Sequence, residues 1–326
     1  MRIPRSILVS ARMGQYFHVV SRVVGRQRLF GDVEKGQFLQ ILRRYEAFSG
    51  MKVMSYCLMG NHFHLLLFKP PRPAEIPDEE VWRRMGHIYS EDQISAFESW
   101  IEEQTASGDL ECRRRFLERM RLRMFDLSAF MKDIKMRFSK WYNRENDRKG
   151  TLWEERFKSL VIEGEEGALL KTAAYIELNP VRAGIVDDPA TYRWCSYAEA
   201  VAGGKKALKG IRELISGRGN LLEPAEVLGA YRLYFVQKSV DQSSRRPGFT
   251  QDQLEEEKKR HGRLSVPDAL LARVRYFTDG AILGSREFVR DFLWSRRSEF
   301  PRGRKQAFRM RGADWEGLYS YRNLRV

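Results

Sequence analysis

Residues 59–67 read Met59-Gly60-Asn61-His62-Phe63-His64-Leu65-Leu66-Leu67, and this stretch decides the fold. Gly60 and Asn61 suit a tight hairpin connection. The apolar runs on either side, 53–58 and 62–68, have the length of strands. Side chains alternate along a strand, so His62 and His64 project from one face while Phe63 points into the opposite layer.

Working outward, residues 16–24 alternate as a first strand, with Tyr16, His18, Val20 and Arg22 on one face and Phe17, Val19 and Ser21 on the other. Residues 34–48 place Phe38, Ile41, Leu42, Tyr45 and Phe48 at helical spacing, and Gly50 ends that helix. A second core helix is expected over 127–143, with Phe130, Ile134, Phe138 and Trp141 inward and Lys132, Lys135, Arg137 and Lys140 outward. Residues 159–162 form a fourth strand, and the helix over 165–178 must stop near Pro180. Strand, helix, strand, strand, helix, strand is the split βαβ order, so the fold class is α+β, a ferredoxin-like α/β sandwich with an antiparallel sheet. Residues 70–126, Pro-rich and then charged, are an inserted helical excursion. Residues 203–219, rich in Gly and Lys, are expected to be a linker within 201–220, separating a main domain over 1–200 from a mainly helical, basic extension over 221–326. Helices are expected there over 221–237 and 267–293. Asp279-Gly280 with Gly284-Ser285 marks a candidate break of the helix-turn-helix kind.

The chain has 326 residues, with 58 Lys and Arg against 43 Asp and Glu, a formal charge of +15. Such a surplus favours a polyanionic partner, because neutralised phosphates release their counterions. At 43% hydrophobic and 12% aromatic the chain can bury a core, which excludes disorder throughout. No run approaches the roughly 18 apolar residues of a membrane span, and Ile7-Leu8-Val9 is too short for a signal-peptide core. Cys57, Cys112 and Cys195 lack the paired spacing of a zinc site or disulfide framework, which suits a reducing cytoplasm.

Two constellations carry chemistry. His62 and His64 form a two-pronged clamp for a divalent ion, although two strand histidines can equally make hydrogen bonds on a half-buried sheet. Tyr175 and Asn179 sit one turn apart on one helix face, so Asn179 can bring an amide oxygen to whatever Tyr175 approaches. Against that, Tyr175 can be a core residue, and Asn179-Pro180 can simply end one helix and start another.

With Tyr16-Phe17-His18-Val19 and Ser21-Arg22, the His62 stretch, Gly150-Thr151-Leu152-Trp153 with Arg156-Phe157-Lys158-Ser159, and Tyr175-Ile176-Glu177-Leu178-Asn179-Pro180-Val181-Arg182-Ala183-Gly184, the chain resembles the REP-associated tyrosine transposases. These are single-tyrosine enzymes of the His-hydrophobic-His (HUH) endonuclease superfamily. The four motifs follow the family's order over about residues 15–200; the resemblance does not extend to 70–126 or beyond about 205. It implies an HUH core in which His62 and His64 bind Mg²⁺ or Mn²⁺, Asn179 is a third ligand, and Tyr175 attacks DNA to give a 5′-phosphotyrosine. Tyr142 is an alternative nucleophile outside the motif. Glu177 would compete with Asn179, but two residues along a helix turn it about 200° away. His18 is read as structural or DNA-contacting before it is read as a ligand.

Arg22, Lys135, Arg137, Lys140, Arg156, Lys158 and Arg182, with Trp153 interleaved, supply charge for a backbone and an aromatic face for unpaired bases. The basic tail over 296–325, with Trp315, Tyr319 and Tyr321, offers further contacts. The expectation is a transposase-like strand transferase acting on single-stranded or hairpin DNA, on the nucleoid in the cytoplasm, as a monomer or homodimer and without a membrane. The other readings are a domesticated, non-catalytic hairpin binder and a nuclease that uses water.

Overall fold

The computed structural model describes residues 10, 13–215, 223–236, 270, 275–296, 306–311 and 315–322. Strand β1 (Gln15–Arg22) leads into helix α1 (Asp32–Ser49), and the hairpin of β2 (Lys52–Leu58) and β3 (His62–Lys69) follows. After the excursion, helix α5 (Leu127–Glu145) returns the chain to β4 (Lys158–Ile162). The sheet order begins β2-β3-β1-β4, and all neighbours in that part are antiparallel. This is the α+β architecture expected from the element order. In the register, His18 stands opposite Leu66, Val20 opposite His64 and Arg22 opposite His62.

Helices α1 and α5 cover the face that carries Phe17, Val19, Phe63 and Leu65, all fully buried. Their aromatic side chains interlock there: Phe38 lies 4.7 Å from Phe63, and Phe30 stacks on Phe138 at 4.9 Å between ring centroids. Each such phenyl ring contributes about 1.5–3 kcal/mol by leaving water. Helix α1 stops at Gly50, which adopts φ 75° and donates its N–H to the carbonyl of Glu46. A Cβ at Gly50 would meet the Phe125 ring at 2.5 Å, so glycine is required both by the left-handed backbone and by packing.

The excursion holds α2 (Asp78–Met85), α3 (Glu91–Ala106) and α4 (Cys112–Arg121). These helices have their own small core of Ile76, Val81, Met85, Ile88, Leu117 and Met124, which meets the main body through Phe48. Ser90 and Gln93 close a reciprocal capping box at the start of α3. The helix expected over 165–178 is α6 (Glu166–Glu177), and a single further turn, α7 (Asn179–Arg182), follows it.

Beyond residue 200 the architecture departs from the sequence reading. After the short helix α8 (Ser196–Val201), the expected linker contains α9 (Lys205–Ile215). Ala207, Gly210, Ile211 and Leu214 of α9 are buried. Gly210 permits the approach to β2, because a Cβ there would meet the Met54 carbonyl oxygen at 2.6 Å. Residues 216–222 lie outside the described residues. Helix α10 (Pro224–Val236) matches the helix expected over 221–237.

The expected break near Gly280 does separate two helices, and it contains a strand that the sequence reading did not foresee. β5 (Ile282–Gly284) separates α11 (Arg275–Asp279) from α12 (Arg286–Ser295) and runs parallel to β4, with Val161 opposite Ile282. The short strands β6 (Phe308–Arg309) and β7 (Tyr319–Ser320) extend the sheet in the order β5-β7-β6. The apolar, fully buried Ile282 and Leu283 find an open edge on β4, which is why the segment between the two helices is a strand and not a simple turn. Among the described residues the extension, expected to be mainly helical, has helices α10, α11 and α12 and adds three short strands to the sheet. Trp315, expected on a DNA-contacting tail, is buried beside Phe277. Among the described residues, no helix is long and apolar enough to cross a membrane.

Candidate catalytic centre

Helix α6 packs on the sheet face opposite α1 and α5, and ten of its residues, from Ala168 to Glu177, are buried. Its rotational setting is anchored by Glu177. The Glu177 carboxylate accepts hydrogen bonds from the hydroxyls of Ser55 (3.0 Å), Ser196 (2.5 Å) and Tyr231 (3.4 Å) and from the backbone N–H of Tyr197 (3.2 Å). Burial pushes its carboxyl above the usual carboxylate range, against those hydrogen bonds. Glu177 is thus engaged with β2, α8 and α10 and does not stand beside Asn179 as a competing ligand.

With α6 held this way, Tyr175 faces the histidines. Its ring centroid lies 6.0 Å from that of His64 and 6.0 Å from that of His18, edge-on to both. His62 and His64 are 5.1 Å apart, as are His18 and His64. Phe277 of α11 stacks on Tyr175 at 4.8 Å, and the Arg182 guanidinium sits 4.0 Å from the Tyr175 ring centroid. Tyr175 is only 2% exposed.

Every imidazole in the cluster has a defined hydrogen bond. His62 Nδ1 lies 2.6 Å from Asn61 Oδ1, which orients it as the donor and leaves Nε2 as its lone-pair nitrogen. His18 Nδ1 is 2.8 Å from the Phe277 carbonyl oxygen, and His18 Nε2 is 2.9 Å from His64 Nδ1. Burial lowers His18 to about 4 and holds His64 well below the ordinary imidazole range, so both are neutral at pH 7. The Asn179 amide donates twice through Nδ2, to the carbonyls of Tyr175 and Ile176, both at 3.1 Å. Its remaining oxygen is an acceptor.

The expected DNA-binding side chains divide into three groups. Arg22, Arg156 and Lys158 line one cleft of about 250 Å³, together with Arg26. The cleft adjoins the histidines, since Arg22 and Val20 are the cross-strand partners of His62 and His64 and Thr278 follows Phe277. Ser21 and Thr278 also line it, and their buried hydroxyls have no hydrogen-bond partner among the described residues. Lys158 pairs with Asp279 at 3.3 Å. Arg137 and Lys140 are exposed on α5.

The third group is engaged with the protein itself. Trp153 was expected to offer a face to a base, but it packs against Phe30, Phe63 and Phe138 and donates its indole N–H to Ser139 and the Lys135 carbonyl. Lys135 covers that ring at 5.1 Å and donates to the Glu155 carbonyl. Arg182 donates to the carbonyls of Tyr175 (2.7 Å) and Leu270 (2.5 Å), tying the C-terminal region to the centre instead of facing outward. Tyr142, the alternative nucleophile, is buried within α5 beside Phe138, on the side of the sheet away from the histidines.

Fold and site together define an α+β protein with a buried imidazole–phenol cluster on one sheet face and, beside it, a cleft where Arg22, Arg26, Arg156 and Lys158 stand with Glu154, Glu155 and Asp279. No family model matches the chain, and no curated protein sequence matches it. Among solved structures, it is similar to one described as a REP-associated tyrosine transposase bound to a REP hairpin, at 14% identity and a TM-score of 0.39, covering 63% of this chain and 87% of that one.

Proposed function

We propose that the chain is a single-tyrosine DNA strand transferase of the HUH class, which nicks and rejoins single-stranded or hairpin-bearing DNA through Tyr175. The observation that carries this reading is the convergence of two motifs more than 100 residues apart, His62-Phe63-His64 and Tyr175 to Asn179, on one sheet face, with Tyr175 6.0 Å from His64. A phenol with an ordinary pKa near 10 is a weak nucleophile, so placement beside groups that stabilise developing charge is what the chemistry demands. The Tyr175 oxygen would attack phosphorus and the bond to the 3′ oxygen would break. The tyrosine proton departs and the 3′ oxygen gains one. The product is a 5′-phosphotyrosine and a free 3′-OH, and reversal with another 3′-OH joins strands, so the phosphodiester energy is conserved.

The donor set fits a hard divalent cation such as Mg²⁺ or Mn²⁺. His62 contacts Asn61 through Nδ1 and Asn179 donates twice through Nδ2, and both side chains carry a second atom of ligand type, Nε2 and Oδ1. His62, His64 and the Asn179 oxygen would hold the ion; among the described residues no three His, Cys, Asp or Glu side chains form a ligand cluster. Bound there, it would supply Lewis acidity to the scissile phosphate. Arg22, Arg26 and Arg156, with the Ser21 and Thr278 hydroxyls, suit the phosphates of the strand leading to Tyr175.

Because Tyr175 is covered by Phe277, reaction requires that ring to move aside. The same burial favours the second reading, a hairpin-binding protein that no longer cleaves. Incubation with Mn²⁺ or Mg²⁺ and single-stranded hairpin oligonucleotides, followed by denaturing gels and peptide mass spectrometry, separates the two. A DNA adduct on Tyr175 that is lost in His62→Ala supports the transferase; tight binding with no adduct across metals and substrates supports the binder.

A further inference from the structure

We infer that His18 is a positioning residue that fixes His64 in the tautomer whose Nε2 carries the lone pair, and that the backbone carbonyl of Phe277 sets His18 in turn. The argument starts at the carbonyl end. A carbonyl oxygen only accepts, so the contact of 2.8 Å from His18 Nδ1 to the Phe277 oxygen requires the proton on His18 Nδ1. A neutral imidazole has one N–H, so His18 Nε2 is then an acceptor. The contact of 2.9 Å from that nitrogen to His64 Nδ1 therefore requires the proton on His64 Nδ1, and the lone pair of His64 falls on Nε2.

The opposite polarity fails at the carbonyl. It would set the His18 Nδ1 lone pair against the Phe277 oxygen, two acceptors at hydrogen-bond distance in a site where His18 is 1% exposed and water does not relieve them. His62 reaches the same tautomer by a local route, through its own neighbour Asn61. His64 has no such neighbour and borrows its acceptor from β1, two positions along the register from its cross-strand partner Val20.

Neutral imidazole coordinates a cation only through a nitrogen that lacks a proton, and a hydrogen bond from the other ring nitrogen is what commonly holds that state. The use of the His64 lone pair rests on the metal centre proposed above; the tautomer itself does not. The consequence is specific to this chain: the C-terminal region, through one carbonyl of α11, reaches the candidate ligand on β3 by way of β1.

The test uses the full chain labelled with ¹⁵N-histidine, in which five histidines give resolvable long-range ¹H–¹⁵N patterns. In the metal-free wild type at neutral pH, His64 is expected with a protonated Nδ1 and an unprotonated Nε2. His18→Gln should keep that pattern, since its amide can donate to the Phe277 carbonyl and accept from His64. His18→Leu should move His64 towards the other tautomer and weaken Mn²⁺ binding, read from the free-ion paramagnetic resonance signal, by roughly 10- to 100-fold. A wild-type His64 protonated on Nε2, or a folded His18→Leu protein in which both the His64 pattern and Mn²⁺ affinity are unchanged, overturns the inference. If the His64 pattern is as stated and follows the two variants, but the wild type binds no Mn²⁺, the relay stands and the metal centre is what fails.

Discussion

The two faces of the four-stranded part of the sheet are built from alternate residues of the same strands, yet they solve burial in opposite ways. On one, Phe17, Val19, Phe63 and Leu65 meet the aromatic side chains of α1 and α5, and shape complementarity is sufficient. On the other, His18, His64, Ser55 and Glu177 are just as dry, and each needs a named hydrogen-bond partner. An apolar face tolerates any neighbour of the right volume, whereas a buried polar face tolerates only neighbours with the right donor or acceptor. That requirement draws parts of α8, α10 and α11 onto the polar side.

The comparison breaks most sharply at Tyr175. Tyr175→Phe should abolish the covalent DNA adduct while leaving hairpin affinity within about threefold, a change small against the tenfold step worth 1.4 kcal/mol; an adduct that persists on another tyrosine would move the chemistry off this face. The apolar side responds through stability: Phe63→Ala should cost about 3–5 kcal/mol in urea unfolding, by loss of buried surface and creation of a cavity beside Phe38 and Trp153. Covering the sheet edge is a smaller matter. Gly210→Ala should cost roughly 1–3 kcal/mol, because the new methyl forces α9 away from the Met54 carbonyl, and the measured loss should appear without change in DNA binding.

Glu177 tests the polar face by pH. Its folded pKa is raised, so its protonated form is favoured in the native state; that contribution is complete below the unfolded value near 4.5 and is lost as pH rises through the folded value. Wild-type stability relative to Glu177→Gln should therefore fall as pH increases from about 4.5, where the unfolded carboxyl ionises. Urea midpoints of the two proteins measured in parallel from pH 4 to 8 check the sign. A difference that stays flat would mean that the four donors around the carboxylate balance its desolvation, and one that rises would mean that they outweigh it.

Much of the fold was legible because its signals are local. Alternation over 16–24 and 53–68, helical spacing over 34–48 and the Gly60-Asn61 turn each act within a few residues, and they specified the first four strands and their flanking helices. The later strands were not legible: β5 has three residues and β6 and β7 have two each, too few to show a period, and their partners are supplied in turn, β4 to β5, β5 to β7 and β7 to β6. The Gly and Lys content of residues 203–219 suggested a linker because composition does not reveal that Ala207, Ile211 and Leu214 fall on one helix face with Gly210 between them. Trp153 beside basic residues resembles a stacking platform in one dimension; in three, Phe30, Phe63 and Phe138 enclose it.

For the site, the sequence by itself determined that His62 and His64 share a face, which follows from the period of the strand that carries them, and suggested that Tyr175 and Asn179, four residues apart, share another. Only the tertiary structure decided that these faces meet, that Glu177 anchors the helix instead of joining the ligands, and that His18 and the Phe277 carbonyl complete the chain of hydrogen bonds at His64. Periodicity is a property of neighbours along the backbone. The partner of a buried donor or acceptor depends on strand register and helix docking, which here join residues as far apart as His18 and Phe277.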